Sequence, residues 1–488
     1  MCIFAKNFNK MKRISLFFWA CLVALFGLNS CEFPQQTFGP VTLAVLSVND
    51  MHSAIDNMPK FAALADSLRT VYPDLLVLSA GDNRTGNPIN DQYEPASYPM
   101  IALMNKVGFK ACTVGNHEWD GSVPALRTNI EQADFPFLCA NLKNPEAENL
   151  DVKPYVIIEQ QGLRIAVIGL IELRADGYPG AHPMHFTKLS FRRPEAVLPE
   201  YSFLRNKADV CILLSHVGFE EDVDMAMENP WLDAILGGHS HTLVEYPQKH
   251  NGVMVTQAGS SLSHATLTLF TVNNGKVIDV KATTLDVKHR KKENAAVRAM
   301  VDEFNNSARF GEALATAVTS FDCKEEMGCL VTDGIRWFTG ADFAFQNTGG
   351  IRINRLKSGP ITIKDVYNID PFANDVVVYT MTGAQLEDFM MHSFMANGDT
   401  PSFVSGMTYR VNTDNRGKPK SVVITPDKGR YSSKATYHVA FNSYMASTVR
   451  FESLDEGQSQ YTTSEEMVIQ YLRDQKKVSY NGVRRTFY

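Results

Sequence analysis

The sequence lacks several features that would place it in a specialised class of proteins. It has no internal repeats and no low-complexity tracts. The formal net charge is −6 and no large basic block stands out, which argues against a nucleic-acid polymer as a partner. Hydrophobic residues make up 44% and charged residues 20% of the 488 residues, as expected for a globular protein rather than a disordered one.

Cysteine is also scarce, and none of the cysteines suits a catalytic role. Cys112, Cys139 and Cys211 lie in apolar runs, which predicts buried and inert thiols. Cys323 and Cys329 are near enough in sequence to pair in an oxidising compartment, although spacing alone does not show a disulfide. No cysteine falls among the candidate metal ligands, so a thiolate metal site is not expected.

The N-terminal segment, residues 1–31, is typical of an export signal. Lys12 and Arg13 precede the apolar run Ile14–Leu28, which is short for a membrane-spanning helix and ends in small residues. The cysteine that closes this segment, Cys31, resembles the lipobox cysteine of bacterial lipoproteins, which implies acylation there. An ordinary cleaved signal and a single anchor helix are the alternatives. The expected location is the periplasmic face or the cell surface, with membrane contact through the lipid anchor only.

The length of the chain predicts two α/β domains joined by a connector helix. In residues 38–286, runs rich in Val, Ile and Leu alternate with amphipathic stretches, which indicates a layered domain with buried strands. Residues 287–318 contain many helix formers and predict the connector helix. Residues 319–488 form the second, smaller α/β domain, with glycine-containing turns. The predicted strands of the first domain are Val41–Val48, Leu75–Ser79, Ala111–Val114, Arg164–Leu170, Val210–Leu214 and Ala234–Leu236.

Five segments of the first domain place metal-binding side chains directly after apolar strands. The segments are Asp50-Met51-His52, Gly81-Asp82, Asn116-His117-Glu118-Trp119-Asp120, Ser215-His216 and His239-Ser240-His241. Two carboxylates, four histidines and an amide from these segments are the candidate ligands. Any one of these is weak, because a lone histidine or an aspartate after a strand is usually structural. As a set they predict a metal site, because strand ends of an α/β sheet share one edge.

These segments resemble those of calcineurin-like metallophosphoesterases, and the whole chain resembles the bacterial 5′-nucleotidase and UDP-sugar hydrolase family. The resemblance implies a layered β-sandwich flanked by helices and a centre of two divalent ions. Nitrogen and oxygen ligands suit Zn, Mn, Fe or Co better than Ca. The resemblance implies that Asp82 bridges the two ions. The other ligands it implies are Asp50, His52 and His241 for one ion and Asn116, His216 and His239 for the other. Two divalent ions together with the carboxylates of Asp50 and Asp82 carry a net charge of about +2, which matches a phosphate dianion.

The same resemblance implies that His117 and Asp120 are a catalytic pair. Residues three apart lie on one face of a helix, so Asp120 is placed to orient His117 and to stabilise its charge. The alternative is that Asp120 only favours the start of a helix. Glu118 is expected to support the loop rather than to touch substrate.

In the second domain, the segment Gln346–Arg352 resembles the nucleotide-binding segment of the family. It implies substrate contacts by Asn347, Gly349, Gly350 and Arg352, because glycines admit a close backbone approach and an arginine suits phosphate. A glycine turn with a surface arginine is the alternative.

Two stretches depart from the family pattern. An arginine of the family is missing near Lys324, which is a candidate substitute of weaker geometry. The glycine-rich run and aromatic ring that the family carries near the C-terminus are also missing, since residues 447–452 read Ser-Thr-Val-Arg-Phe-Glu. From their positions, Phe403 and Phe451 are the candidates for a pair of rings that clamps the base, although a ring in an apolar pattern is more often core.

The sequence therefore predicts an exported dimetal phosphoesterase. The preferred reaction is hydrolysis of nucleoside 5′-monophosphates to nucleoside and phosphate by a metal-activated water. Alternatives are hydrolysis of a UDP-sugar or a 2′,3′-cyclic nucleotide, and a surface binding lipoprotein without turnover.

Overall fold

The computed structural model describes residues 39–306 and 310–488. The export segment and Cys31 lie outside the described residues. The chain separates into two units, Met1–Val41 and Thr42–Tyr488, and apart from Val41, the first residue of β1, the elements below lie in the second. Within the described ranges, every helix is too short or too polar to cross a membrane. All five cysteines of these ranges are free thiols, Cys323 and Cys329 included.

Two large sheets account for residues 41–286, which confirms a layered α/β domain. The strands are β1 (Val41–Val48), β2 (Leu76–Ser79), β3 (Ala111–Thr113), β4 (Phe137–Leu138), β5 (Leu142–Lys143), β6 (Val152–Lys153), β7 (Tyr155–Gln160), β8 (Leu163–Ile171), β9 (Ser190–Phe191), β10 (Val210–His216), β11 (Ala234–Leu236), β12 (Gln248–His250), β13 (Val253–Thr256), β14 (His264–Asn273) and β15 (Lys276–Asp286). The helices are α1 (Met58–Arg69), α2 (Pro88–Asp91), α3 (Tyr98–Val107), α4 (Val123–Gln132), α5 (Pro194–Val197) and α6 (Phe219–Glu228).

The order of strands brings the predicted ligand segments to one edge. One sheet runs β15-β14-β1-β2-β3-β4-β6 and the other β12-β13-β11-β10-β8-β7, while β5 and β9 pair separately. Strands β1 to β4 are mutually parallel, and so are β8, β10, β11 and β13. The sheets pack closely, since a Cβ on Gly169 of β8 would lie 2.5 Å from the carbonyl oxygen of Leu138 in β4. Parallel strands put their carboxyl ends, and the loops that follow, on the same side of this sandwich.

A second group of elements follows residue 294. Its strands are β16 (Ala313–Ala317), β17 (Phe343–Gln346), β18 (Gly359–Thr362), β19 (Asp375–Thr382), β20 (Phe403–Ser405), β21 (Met407–Thr413), β22 (Pro419–Pro426), β23 (Thr436–Asn442), β24 (Gln458–Thr463), β25 (Lys477–Val478) and β26 (Thr486–Phe487). Its helices are α7 (Ala295–Asn305), α8 (Lys324–Thr339), α9 (Ile363–Ile369), α10 (Gly383–Ala396), α11 (Ser443–Thr448) and α12 (Ser464–Gln475). The five-stranded sheet β20-β17-β23-β19-β24 is its centre, beside sheets β18-β16-β25 and β22-β21-β26.

The connector differs from the helix predicted over residues 287–318. Helix α7 covers only Ala295–Asn305, with Asn294 capping its first turn by accepting a hydrogen bond from Val297 N. Residues 313–317 form strand β16 instead, which pairs with β18 and β25. The alanine-rich sequence of β16 favours a helix locally, but the hydrogen bonds offered by two neighbouring strands override this weak preference.

Candidate active site

Five of the seven predicted metal ligands have left-handed backbone conformations. Their φ angles are 47° at Asp50, 45° at His52, 52° at Asp82, 75° at His239 and 55° at His241. Positive φ is uncommon outside glycine and costs energy, so it persists where the surrounding structure enforces it, typically at functional sites. Each of these residues lies just after the carboxyl end of a buried parallel strand, where the chain turns sharply.

The first ligand group consists of Asp50, His52 and His241. The Nε2 atoms of His52 and His241 are 2.9 Å apart, and His241 Nε2 is 3.2 Å from Asp50 Oδ1. His52 Nδ1 is 3.0 Å from the Thr85 carbonyl oxygen, which only accepts, so the ring proton is on Nδ1 and Nε2 presents a lone pair. Burial lowers the pKa of His52 to about 4, which keeps this ring neutral. Lone pairs that converge in this way fit a divalent cation.

The second group has the same character. Asn116 Oδ1 lies 3.2 Å from His216 Nε2 and 3.0 Å from His239 Nδ1, while its Nδ2 donates to a backbone carbonyl. His216 Nδ1 donates to Ala80 O at 2.7 Å, which leaves His216 Nε2 to face the oxygens of Asn116 and Asp82. Burial lowers the pKa of His216, but the charge of Asp82 more than offsets this and the pKa rises to about 10. A site that attracts a proton so strongly fits a metal cation.

Asp82 lies between the two groups and is almost fully buried. Its Oδ2 is 3.1 Å from His216 Nε2, and its Oδ1 accepts a hydrogen bond from His117 N at 2.8 Å. One ligand atom from each of three side chains lies within 4.8 Å of the others in three overlapping sets: Asp50, His52 and His241; His52, Asp82 and His117; and Asp50, Asp82 and His216. Asp82 belongs to two of these three sets, one with His52 and one with Asp50 and His216.

His117 and Asp120 form the predicted pair beside the ligands. His117 begins a 3₁₀ turn, and its Nδ1 lies 2.6 Å from Asp120 Oδ2. The Thr85 hydroxyl donates to the same Asp120 oxygen at 2.7 Å. Glu118 supports this loop as expected, because its carboxylate accepts from the backbone N–H groups of Gly115 at 2.6 Å and Asp82 at 3.0 Å.

A cleft of about 750 Å³ lies beside this pair and has walls from both groups of elements. The cleft is lined by Asn347, Gly349, Gly350 and Arg352, together with His117. Gly350 is required by space, since a Cβ there would clash with the Gln346 side chain. Burial and then the charge of Arg352 lower the pKa of Lys324, in agreement with Lys324 lying on the same side.

Two aromatic rings that the sequence did not single out line the cleft, Phe372 and Tyr444. The Phe372 ring lies 6.0 Å from the His117 ring and 5.7 Å from the Arg352 guanidinium carbon. Tyr444 is on α11, and its hydroxyl accepts a hydrogen bond from Arg174 Nη1 at 3.3 Å. The signal in the sequence for Phe372 was its position directly after a proline in a loop, outside any periodic apolar pattern.

The Phe372 loop is held by buried carboxyl groups. Glu465 Oε1 accepts a hydrogen bond from Ala373 N at 2.6 Å, and Asp370 Oδ2 accepts one from the Ser464 hydroxyl at 2.8 Å. Burial raises the pKa of Asp370 to about 6. These contacts fix the loop and with it the position of the ring.

The two rings predicted as a clamp do not reach the cleft. Phe403 is buried on β20, where its ring would clash with a Cβ added to Gly328 of α8. Phe451 packs edge-on against Phe441 and Tyr379 at ring distances of 5.3 and 5.0 Å. Both rings fill apolar space between a sheet and its helices, so the predicted pair does not form.

The geometry agrees with what the chain resembles. The model of calcineurin-like phosphoesterases matches residues 43–243, and that of the 5′-nucleotidase C-terminal domain matches residues 307–454. Protein UshA of Escherichia coli (strain K12) is 30% identical over 376 residues, which cover 65% of this chain and 68% of UshA. A 5′-nucleotidase of Vibrio cholerae is 27% identical over 421 residues, which cover 71% and 75%.

A solved structure shows the same fold. The 5′-nucleotidase precursor from Thermus thermophilus superposes with a TM-score of 0.77 at 23% identity, covering 92% of this chain and 99% of that one. Fold and site together define a metallophosphoesterase, a metal-dependent hydrolase. The chain belongs to the 5′-nucleotidase family, in which a calcineurin-like phosphoesterase domain precedes a 5′-nucleotidase C-terminal domain.

Proposed function

We propose that this enzyme hydrolyses phosphate monoesters of nucleosides, with nucleoside 5′-monophosphates as the simplest substrates. The observation that carries the proposal is the composition of the cleft. From the first group of elements the cleft is lined by Asn116 with His117 and Asp120, and from the second by Arg352 and two aromatic rings, Phe372 and Tyr444. A volume of about 750 Å³ is in the range of small-molecule sites and accommodates a nucleotide.

Two divalent ions are proposed to occupy the ligand groups, with Asp82 shared between them. When bound, they supply Lewis acidity at a phosphoryl oxygen and lower the pKa of a water molecule. The protein contributes fixed ligands. Burial and then the charge of His216 lower the pKa of His239 to about 4, so this ring, like His52, is neutral and needs no deprotonation before it binds a cation.

His117 is proposed to protonate the leaving oxygen. As the phosphorus–oxygen bond breaks, the departing alkoxide takes a proton from His117 Nε2, and the imidazole becomes neutral. Asp120 holds the opposite nitrogen, Nδ1, at 2.6 Å and so fixes the ring orientation, in which Nε2 lies 3.9 Å from Asp82 Oδ2. Without this proton the alkoxide of a ribose would be a poor leaving group.

Recognition of the substrate is proposed for the residues from the second group of elements. The Arg352 guanidinium stacks near the Phe372 ring and makes no ion pair within the described ranges, so its donors are available for a phosphate. Phe372 and Tyr444 offer surfaces on which a nucleobase packs. Asn347 Oδ1 accepts a hydrogen bond from Asn442 Nδ2 at 3.0 Å, which fixes its amide at the base of the cleft.

The aromatic walls give a direct prediction about affinity. Replacing Phe372 and Tyr444 by alanine is expected to raise KM for AMP by about 10-fold or more, because base–aromatic stacking contributes about 1–3 kcal/mol. KM for p-nitrophenyl phosphate, which has no nucleobase, should change little. Phe403→Leu and Phe451→Leu are the controls, and they should leave KM for AMP unchanged. A rise in KM for AMP in the Phe403→Leu or Phe451→Leu variant, without a rise when Phe372 and Tyr444 are replaced, would contradict this assignment.

Export and lipid anchoring are proposed from residues 1–31, with Cys31 as the modified residue. Incorporation of labelled palmitate into the full chain, lost in Cys31→Ser, is the expected result.

The test of the proposed function is phosphate release by the full chain. AMP, UDP-glucose, a 2′,3′-cyclic nucleotide and p-nitrophenyl phosphate should be compared, with Mn²⁺ or Zn²⁺ and with chelator. Chelator-sensitive turnover of AMP is expected. Turnover of only the generic ester would remove the nucleotide assignment, and metal binding without any turnover would favour a binding protein.

A further inference from the structure

Gln257 is a buried glutamine that the proposed reaction does not use. It directly follows β13 and is only 1% exposed. Its side-chain amide makes three hydrogen bonds, and all three go to the loop 237–242 that follows β11. Nε2 donates to the Gly238 carbonyl oxygen at 2.7 Å. Oε1 accepts from the Ser240 hydroxyl at 2.9 Å and from the backbone N–H of Thr242.

The loop that Gln257 holds contributes one ligand to each proposed ion. His239 Nδ1 lies at Asn116 in one ligand group, and His241 Nε2 lies at Asp50 in the other. The partners of Gln257 are the residues directly before and after each of these two histidines. Both histidines have positive φ, 75° and 55°, a conformation that surrounding contacts have to enforce. The three hydrogen bonds of one amide supply such contacts at both positions.

Gly238, which Gln257 holds through its carbonyl oxygen, lies where the two ligand groups meet. A Cβ added to Gly238 would lie 2.9 Å from His216 Nδ1 and 3.1 Å from Asp50 Oδ2. These two neighbours belong to different ligand groups. The backbone N–H of His239 donates to Asp50 Oδ2 at 3.0 Å. A shift of this stretch of backbone would therefore disturb ligands of both ions.

The backbone that carries Gln257 is itself fixed to the site by Asn49. Asn49 Oδ1 accepts a hydrogen bond from Ala258 N at 2.8 Å. Asn49 Nδ2 donates to Gly259 O and to Asp50 Oδ2, each at 2.7 Å. A buried polar network whose members are hydrogen-bonded specifies one geometry. The Gln257 amide is thus a fixed point from which the loop is held.

We propose that Gln257 is a positioning residue for both ions, which holds His239 and His241 in the geometry that binds them. The inference rests on the proposed occupation of the two ligand groups by divalent ions. Residues that orient metal ligands without touching the metal change metal affinity by about 10- to 100-fold when they are replaced. An amide beside one histidine would act on one ion. The hydrogen bonds of Gln257 around both histidines mean that its loss weakens both sites together.

The test measures Co²⁺ binding to the full chain by calorimetry, after metal has been stripped with chelator and the chelator removed. Gln257→Met keeps the approximate size of the side chain and removes its hydrogen bonds, so Kd should rise by about 10- to 100-fold at both sites. Gln346→Met is the matched control. Gln346 is also fully buried and hydrogen-bonded, to Asp370 and Asn442, but it lies on β17 in the second group of elements. It should leave both Kd values unchanged.

Two further readouts separate positioning from folding. Thermal unfolding of both variants in chelator measures stability without metal, so that a loss of Co²⁺ affinity beyond that of an equally destabilised Gln346→Met is assigned to positioning. The visible absorption of bound Co²⁺ reports ligand geometry, and it should change in Gln257→Met but not in Gln346→Met. Equal losses of affinity in the two variants, or unchanged Kd values in Gln257→Met, would overturn the inference.

Ligand variants examine the two ions one at a time. His241→Ala leaves the ion group that contains His239, and His239→Ala leaves the group that contains His241. Adding Gln257→Met should raise the Kd of the remaining ion by about 10-fold or more in each background. An effect in only one background would overturn the action on both ions. Failure of the wild-type chain to bind Co²⁺ would instead overturn the metal occupation in the proposed function.

Discussion

Asp82→Asn is expected to lower kcat for AMP by roughly 10³-fold or more. Asp82 Oδ2 lies 3.1 Å from His216 Nε2 in one ligand group, and Asp82 shares a second cluster with His52 of the other group. The asparagine keeps the shape but removes the negative charge that a bridging position needs. Metal ions stabilise the transition state by several kcal/mol, and each 1.36 kcal/mol is tenfold in rate.

Metal analysis decides how this loss arises. Asp82→Asn should bind fewer than two ions per chain, as measured by mass spectrometry after gel filtration. Asp279→Asn removes an equal charge from an exposed pair with Lys249 and should keep both the metal content and the rate. Full metal content together with full activity in Asp82→Asn would exclude the bridging role.

His117→Asn is expected to lower kcat for AMP by about 10²- to 10⁴-fold, the usual contribution of a general acid or base. The loss should be much smaller for p-nitrophenyl phosphate, because p-nitrophenolate leaves readily without a proton. Metal content should be unchanged. A comparison of the two substrates therefore separates proton transfer to the leaving oxygen from damage to the ligand groups.

The surface of the protein offers a matched control. His289 Nδ1 lies 2.8 Å from Asp286 Oδ2 with the same three-residue spacing, but the His289 side chain is 77% exposed and far from the ligands in sequence. His289→Asn should leave both rates unchanged. Asp120→Asn combined with His117→Asn should cost no more than His117→Asn alone, because residues that act as a unit are not additive. Equal losses for AMP and p-nitrophenyl phosphate would contradict the acid role of His117.

The sequence predicts the strands and the ligand groups because both depend on local chemistry. Short runs of Val, Ile and Leu define β1 and β11 to within a residue. The ligand residues follow such runs, and parallel strands bring their carboxyl ends to one edge. The contacts of His117 with Asp120 follow from a spacing of three residues in one turn. These inferences need no knowledge of how the two groups of elements meet.

The walls of the cleft depend on how the two groups of elements pack against each other, and they were harder to predict. Phe372 and Tyr444 are single rings outside any periodic apolar pattern, so only the packing of the two groups of elements reveals that they line the same cleft as His117. Phe403 was misleading because it precedes a glycine turn, yet its ring fills the space opposite Gly328.

The left-handed ligand positions imply a conflict between stability and turnover. An L-residue in this conformation costs about 1–2 kcal/mol relative to glycine, which adopts it freely. His239→Gly should therefore unfold at a higher temperature than His239→Ala, although both lose a ligand. Repeated across five residues, the cost amounts to several kcal/mol, comparable to much of a domain's net stability. A search for thermostable variants would select against the residues at these positions, and screens of this enzyme should therefore score activity together with folding.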